Sequence, residues 1–315
     1  MEKKVDFFIV GFQKTGTSSL ANYLNESDKI KVLQEPNYFC KDFHKESSKY
    51  HKHNKFYNIR NETDYFNLFK DIDSNVLLGD KSPNYLYSRV AAEQIYNHNP
   101  NAKIIIMIRD PLNFLTSWHN HAIKMGHENQ KNIIKSIRLE KKRKKLKKIP
   151  KACKQPSFLY YSEMIKFEEQ IKRYVKLFPV KNIKVVIFED FVKNTKKEVQ
   201  NILSFLEVDD DFFKNYKFEN KNPGKSPRNL FLQQFIRNPN LRIKKIISKI
   251  ISQNQKKKIY SFFMKLNSKD EKIEVSEKDK KYLRNLTQIE AKKVNELLNK
   301  KGLIREDLLK KWKYK

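Results

Sequence analysis

Five short apolar runs punctuate the first two thirds of the chain, and between them apolar residues recur every three or four positions. VDFFIV at 5–10 predicts a buried strand, the glycine-bounded stretch 11–16 a loop, and SSLANYLN a helix. Further strands are predicted at 30–33, 76–78, 103–108 and 183–188, with KIIIMI the most continuous of them, as a strand covered on both faces requires. Helical periodicity marks 89–97, 161–178 and 196–206, while the polar, His- and Lys-rich stretch 41–61 reads as an excursion. From Phe231 onward only amphipathic helical patterns remain. Strands alternating with helices imply an α/β fold: a P-loop-like, doubly wound parallel sheet flanked by helices, with a helical C-terminal extension. The expected organisation is one domain over 1–315, an α/β core (1–230) carrying the site and a helical part (231–315).

Ligands of open parallel sheets bind beyond the carboxyl ends of the strands, so the polar residues after each run are the candidate chemistry. After the first run, Gly11-Phe12-Gln13-Lys14-Thr15-Gly16-Thr17-Ser18-Ser19 opens a helix whose free N–H groups and dipole suit a phosphate. Its frame is that of a nucleotide-binding P-loop, but Thr17 stands where the lysine belongs and Lys14 lies three residues earlier, which argues against an ordinary kinase or ATPase. Glu35 ends the second run, where a general base would stand, although a lone Glu before Pro is ordinarily just solvated. Asp80-Lys81-Ser82-Pro83 ends the third and offers a second lysine. Arg109 ends the fourth, with Ser117 eight residues on; a guanidinium and a hydroxyl together make a phosphate-sized site. His44 and His119 lie near these motifs and read as surface or packing residues.

Charge adds partners to consider. In 315 residues, 67 Lys and Arg oppose 36 Asp and Glu, a net charge of +31. Such a balance attracts anionic partners. Yet only 11 of the 67 are Arg, and no nucleic-acid-binding motif is present, so specific nucleic-acid binding is not expected. The densest run, 141–151, holds eight basic residues in eleven; it is expected to be a solvated helical face, with an anionic membrane or polymer as a peripheral partner. Two cysteines, Cys40 and Cys153, lack metal-ligand spacing, and no acidic metal cluster stands out. No stretch approaches the roughly 20 apolar residues of a membrane span, and the expected location is cytoplasmic.

In order and separation, FFIVGFQKTGTSSL, QEPNYF, GDKSPNYL and IIIMIRDPLNFLTSWH resemble the sulfotransferase superfamily that uses 3′-phosphoadenosine-5′-phosphosulfate (PAPS). The likeness is to heparan sulfate-type carbohydrate O- and N-sulfotransferases and their bacterial relatives. It continues through YYSEMIKFEEQIKRYVKLFPVKNIKVVIFEDF, LEVDDDF, NKNPGKSPRN and VSEKDKKYLRNLTQIEAKKVNELL, so it covers nearly the whole chain.

The resemblance implies sulfuryl transfer from PAPS to a saccharide or glycolipid, releasing 3′-phosphoadenosine-5′-phosphate (PAP) without a metal. Lys14, Thr15, Gly16, Thr17, Ser18 and Ser19 are implied to form the 5′-phosphosulfate loop, with Lys14 neutralising the leaving phosphate. Arg109 and Ser117 are implied to hold the 3′-phosphate, Glu35 to act as base and Lys81 to stabilise the sulfuryl oxygens. Lys225 and Arg228 are implied to close over the donor. Relatives often carry Glu where Asp80 stands. Other readings are sulfation of a small alcohol, phenol or amine, a P-loop kinase, and a basic anionic-polymer binder with an inactive donor site.

Overall fold

The computed structural model describes residues 4–52, 56–209, 211–214, 216, 226–238, 252–269 and 273–315. Its centre is a five-stranded parallel sheet built from β1 (Phe7–Val10), β2 (Ile30–Gln34), β3 (Leu77–Lys81), β4 (Lys103–Ile108) and β5 (Ile183–Ile187), in the order β2-β3-β1-β4-β5. Phe7 sets the central register, opposite Gly79 on β3 and Lys103 on β4. A Cβ on Gly79 would collide with the Phe7 ring, so a glycine is needed there.

Strand residues alternate between two cores, as a period of two demands. Phe8, Val10, Ile104, Ile106 and Ile108 enter the larger one, and Phe7, Ile9, Ile105 and Met107 the smaller. Apolar matter on both faces is why these strands read as unbroken hydrophobic runs.

Nine helices of eight residues or more occur among the described residues: α1 (Thr17–Leu24), α2 (Lys41–His51), α3 (Ala91–His98), α4 (Pro111–Met125), α5 (Phe167–Leu177), α6 (Thr195–Leu206), α7 (Leu230–Arg237), α8 (Gln253–Leu266) and α9 (Glu277–Lys300). Leu20 and Leu24 of α1 and Val199 and Ile202 of α6 fill the smaller core. Ile95 of α3, Phe114 and Trp118 of α4, Tyr174 of α5 and Val294 of α9 fill the larger. The parallel sheet with helices on both faces is the expected fold, and α9 packs directly on α4 and α5.

Three local expectations are corrected. The polar excursion contains α2, which buries Phe43, His44, Ser47 and His51; His51 Nε2 lies 2.6 Å from the Cys153 carbonyl oxygen, so polar side chains there satisfy buried backbone. The stretch 161–178 is two helices, Tyr161–Met164 and α5, and Gln170 Nε2 donates to Met164 O (3.1 Å) across the break. In the basic run, Arg143 is fully buried, donating to both carboxylate oxygens of Glu128 at 2.7 Å; burial becomes possible because the pair is bidentate. His44 and His119 are packing residues, both buried.

Candidate active site

Strand order turns motifs scattered over 150 residues into one row. Along the C-terminal edge of the sheet stand, in sequence of strands, Glu35 after β2, Lys81 at the end of β3, the loop after β1, Arg109 after β4 and Phe188-Glu189 after β5. At about 4.8 Å per strand, roughly 14 Å separates the ends of β2 and β4, a span suited to an extended small molecule. The chain leaves β1 toward β2 and leaves β4 toward β5, so the crevice of the topology lies between β1 and β4. There Arg109 Nη1 donates to the Lys14 carbonyl at 3.1 Å.

The loop after β1 is built by its own residues. Thr15 Oγ1 donates to Phe12 O at 2.7 Å and accepts from Phe12 N at 3.4 Å, folding the chain back. Lys14 (φ 77°) and Gly16 (φ 93°) are both left-handed, which Gly16 adopts at no steric cost. Thr15 and Thr17 are buried, whereas Lys14 and Ser18 are exposed and Ser19 is half-buried. The Thr15 hydroxyl thus shapes the loop, and Ser18 is the hydroxyl turned outward. Gly16 caps α1 without a side chain, leaving the first N–H groups of the helix directed at whatever anion sits in the loop.

Lys81 joins that loop to Glu35. Its ammonium, on a side chain only 2 % exposed, lies 2.8 Å from Glu35 Oε1 and 3.3 Å from Ser18 Oγ. Glu35 is held by its backbone: its N–H donates to Lys81 O (2.8 Å), and its carbonyl accepts from Asn37 Nδ2 (2.7 Å). Its left-handed φ of 56° turns the side chain off the line of β2, and the carboxylate side chain remains 46 % exposed. Asn84 Nδ2 donates to Asn37 Oδ1 and Gln13 Nε2 to Asn84 Oδ1, both at 2.9 Å, so Glu35's turn and the loop after β1 share one network.

Asp80 sits behind this pair, fully buried, accepting from Ser82 Oγ (2.8 Å), Tyr65 OH (2.9 Å) and Tyr85 OH (2.8 Å). Burial pushes its carboxyl up to about 6, with the three hydroxyls and Lys81 pulling the other way. It anchors β3 and is not turned toward the crevice.

Arg109 lies over the Phe188 ring (4.3 Å) and 4.0 Å from Glu189 Oε1. Its Nε is buried and has no hydrogen-bond partner among the described residues. Burial lowers the guanidinium's pKa, while Glu189 and Asp110 act to raise it. An orphaned donor beside an uncapped helix is what an anionic ligand would satisfy. Ser117 lies half-buried on α4, next to the fully buried Trp118. Arg228 is exposed, and its Nε donates to Ser268 O at 3.0 Å. Lys225 lies outside the described residues.

Several neighbours were not singled out from sequence. Lys154 packs its ammonium 3.9 Å from the centre of the Tyr57 ring; burial lowers its pKa, while Cys40 and Glu35 act to raise it. A lysine in a Lys-rich stretch carries no local signal of this. At the other end, Trp312 Nε1 donates to Glu189 Oε2 (3.1 Å) and Tyr314 OH to Asp110 Oδ1 (2.9 Å), so the C-terminal residues brace the two carboxylates flanking Arg109.

Residues 6–212 match the family model described as the sulfotransferase family. Over 123 residues, 39 % of this chain and 13 % of the relative, the sequence is 32 % identical to the bifunctional heparan sulfate N-deacetylase/N-sulfotransferase 4 of Mus musculus. Over 201 residues, 64 % of this chain and 52 % of the relative, it is 23 % identical to the heparan sulfate glucosamine 3-O-sulfotransferase 5 of Homo sapiens. The chain thus spans at most about half the length of these curated relatives. A crystal structure of a sulfotransferase from Alicyclobacillus acidocaldarius superposes with a TM-score of 0.58 at 27 % identity, over 69 % of this chain and 87 % of that one.

Proposed function

The chain belongs to the sulfotransferase family, and on that premise we propose that it transfers a sulfuryl group from PAPS to a hydroxyl or amine of a carbohydrate or glycolipid. One observation carries the reading: the Lys81 ammonium touches both the Glu35 carboxylate and Ser18 at the head of α1. A base, a cation and an anion-binding helix end therefore converge within one side chain's reach.

When bound, the donor supplies a sulfuryl group activated by its phosphosulfate anhydride. The orphaned Arg109 Nε suits its 3′-phosphate, and the N–H groups of Thr17, Ser18 and Ser19 suit its 5′-phosphate. Glu35 takes the acceptor's proton as the acceptor oxygen or nitrogen bonds to sulfur and the bond from sulfur to the bridging phosphate oxygen breaks, releasing PAP. Lys81 offsets charge on the sulfuryl oxygens and Lys14 on the departing phosphate. The saccharide acceptor is supported by the heparan sulfate names of the relatives.

Calorimetric titration with PAP tests the donor half. Micromolar binding without Mg²⁺, weakened about 10–100-fold in Arg109→Ala and not reproduced by ADP, is the expected result; equal binding of ADP would return the kinase reading. Sulfate transfer from labelled PAPS to desulfated heparan saccharide, against a phenol control, tests the acceptor half.

A further inference from the structure

Seven of the thirteen large apolar residues exposed among the described residues, Tyr260 included, lie on two adjoining helices. Phe231 (83 % exposed) and Phe235 follow each other at i, i+4 on α7; Ile259, Phe262 (59 % exposed), Phe263 and Leu266 form the stripe of α8. The buried Asn267 locks the helices together, donating from Nδ2 to Asn229 O and to Gln233 Oε1, both at 3.0 Å. The side of α7 opposite the phenylalanines is tied to the end of α4 by the buried Gln233, whose Nε2 donates to the Lys124 carbonyl, and Gln234 Nε2 donates to the carbonyls of Gly126 and Glu128 at 3.0 Å. The aromatic rows are thus presented on a fixed platform, and soluble proteins rarely leave such contiguous apolar faces bare.

Charge identifies the occupant. The described residues 226–238 and 252–269 contain seven Lys and Arg and no Asp or Glu, and Lys258 and Lys265 are exposed on α8 itself. A second copy would bring the same positive charge against this face and be repelled. An anionic bilayer answers both halves: phenyl rings and leucine enter the headgroup boundary, and lysines meet lipid phosphates. We propose that the paired faces of α7 and α8 dock the protein on an anionic lipid surface. The basic run at 141–151, expected from sequence to make such contact, has no comparable apolar row.

Vesicle sedimentation tests this directly. Phosphatidylcholine vesicles with about 30 % phosphatidylglycerol should retain the protein and phosphatidylcholine alone should not. The variant Phe231→Asp/Phe262→Asp/Leu266→Asp should lose retention at least about tenfold while keeping wild-type circular dichroism and PAP affinity. Lys141→Gln/Lys142→Gln/Lys147→Gln should keep retention. Both native tryptophans, Trp118 and Trp312, are buried, so a Phe262→Trp variant, which leaves the stripe apolar, should shift its emission to the blue on anionic vesicles. No retention, undiminished retention in the aspartate variant, loss in the glutamine variant alone, or no emission shift would each overturn the proposal. So would self-association of the wild type that the aspartates abolish without any vesicle binding, which would make a second copy the occupant.

Discussion

Lys81 Nζ stands 2.8 Å from Glu35 Oε1 although 46 positions separate the two residues in sequence, and only the neighbouring of β2 and β3 brings them together. A buried lysine whose carboxylate partner is half exposed is a polarised arrangement: the cation is enclosed and the carboxylate is left open to solvent.

Replacing Glu35 by Gln should lower kcat about 10²–10⁴-fold, the usual worth of a positioned base. PAP affinity should change little, since Glu35 lies at the far end of the row from Arg109. Steady-state kinetics and calorimetry on one preparation separate the two quantities; a variant with near-normal kcat would remove Glu35 from the chemistry.

Lys81→Met should cost kcat about 10²–10³-fold. Its effect should not add to that of Glu35→Gln, because each single change already breaks the pair; the double variant should be far less impaired than the product of the two losses. Fully multiplicative losses in the cycle would show that the two act independently.

Arg109→Ala should weaken PAP by about 10–100-fold, the worth of hydrogen bonds to a charged group. Arg109→Lys should not restore it, because a lysine lacks both the Nε donor and the fork that reaches Lys14 O. Full affinity in Arg109→Lys would reduce the site to a point charge.

Acid should destabilise the fold through its histidines. Burial lowers His44 and His98 to about 4, and His121 and His127 to about 3. An unfolded histidine titrates near 6.5, so below that pH the unfolded chain takes up protons that the folded one refuses. The stability these groups contribute is complete above about pH 6.5 and is lost as pH falls toward their folded values, by about 1.4 kcal/mol per pH unit for each proton. Asp80 works oppositely: its raised pKa of about 6 makes the folded state the proton binder between about pH 4 and 6, offsetting one histidine there. Urea unfolding between about pH 7 and pH 5 should show falling stability; a flat profile would mean the histidines are not buried in neutral form.

Removing one side of the Glu128–Arg143 pair should be costly, because the other is left buried and charged. Arg143→Met should lose about 3–5 kcal/mol in denaturant unfolding, and Glu128→Gln/Arg143→Met should recover part of it. Equal losses in the single and double variants would mean that packing, not charge, holds this corner.

Much of the site was readable in sequence because strand ends are local features. An apolar run followed by Gly-Phe-Gln-Lys-Thr-Gly, or by Arg-Asp-Pro, signals both the strand and its polar terminus within ten residues. Arg143 and Lys154 were not readable, since nothing near a lysine-rich run distinguishes the one basic residue that folds inward to Glu128, or the one that lies over Tyr57. Within the loop after β1, hydroxyl roles were equally hidden: Thr15 and Ser18 are alike in type, and only the fold turns one to Phe12 O and the other outward.

The residue order alone determined the α/β class, the five strands and the polar residues that end them, because backbone periodicity and turn chemistry act over a few positions. The tertiary structure decided that β1 lies between β3 and β4, and hence that Glu35, Lys81, the loop and Arg109 stand in that order across the sheet. Strand pairing depends on contacts between distant segments and on which crossover buries more apolar surface, so no single segment encodes it.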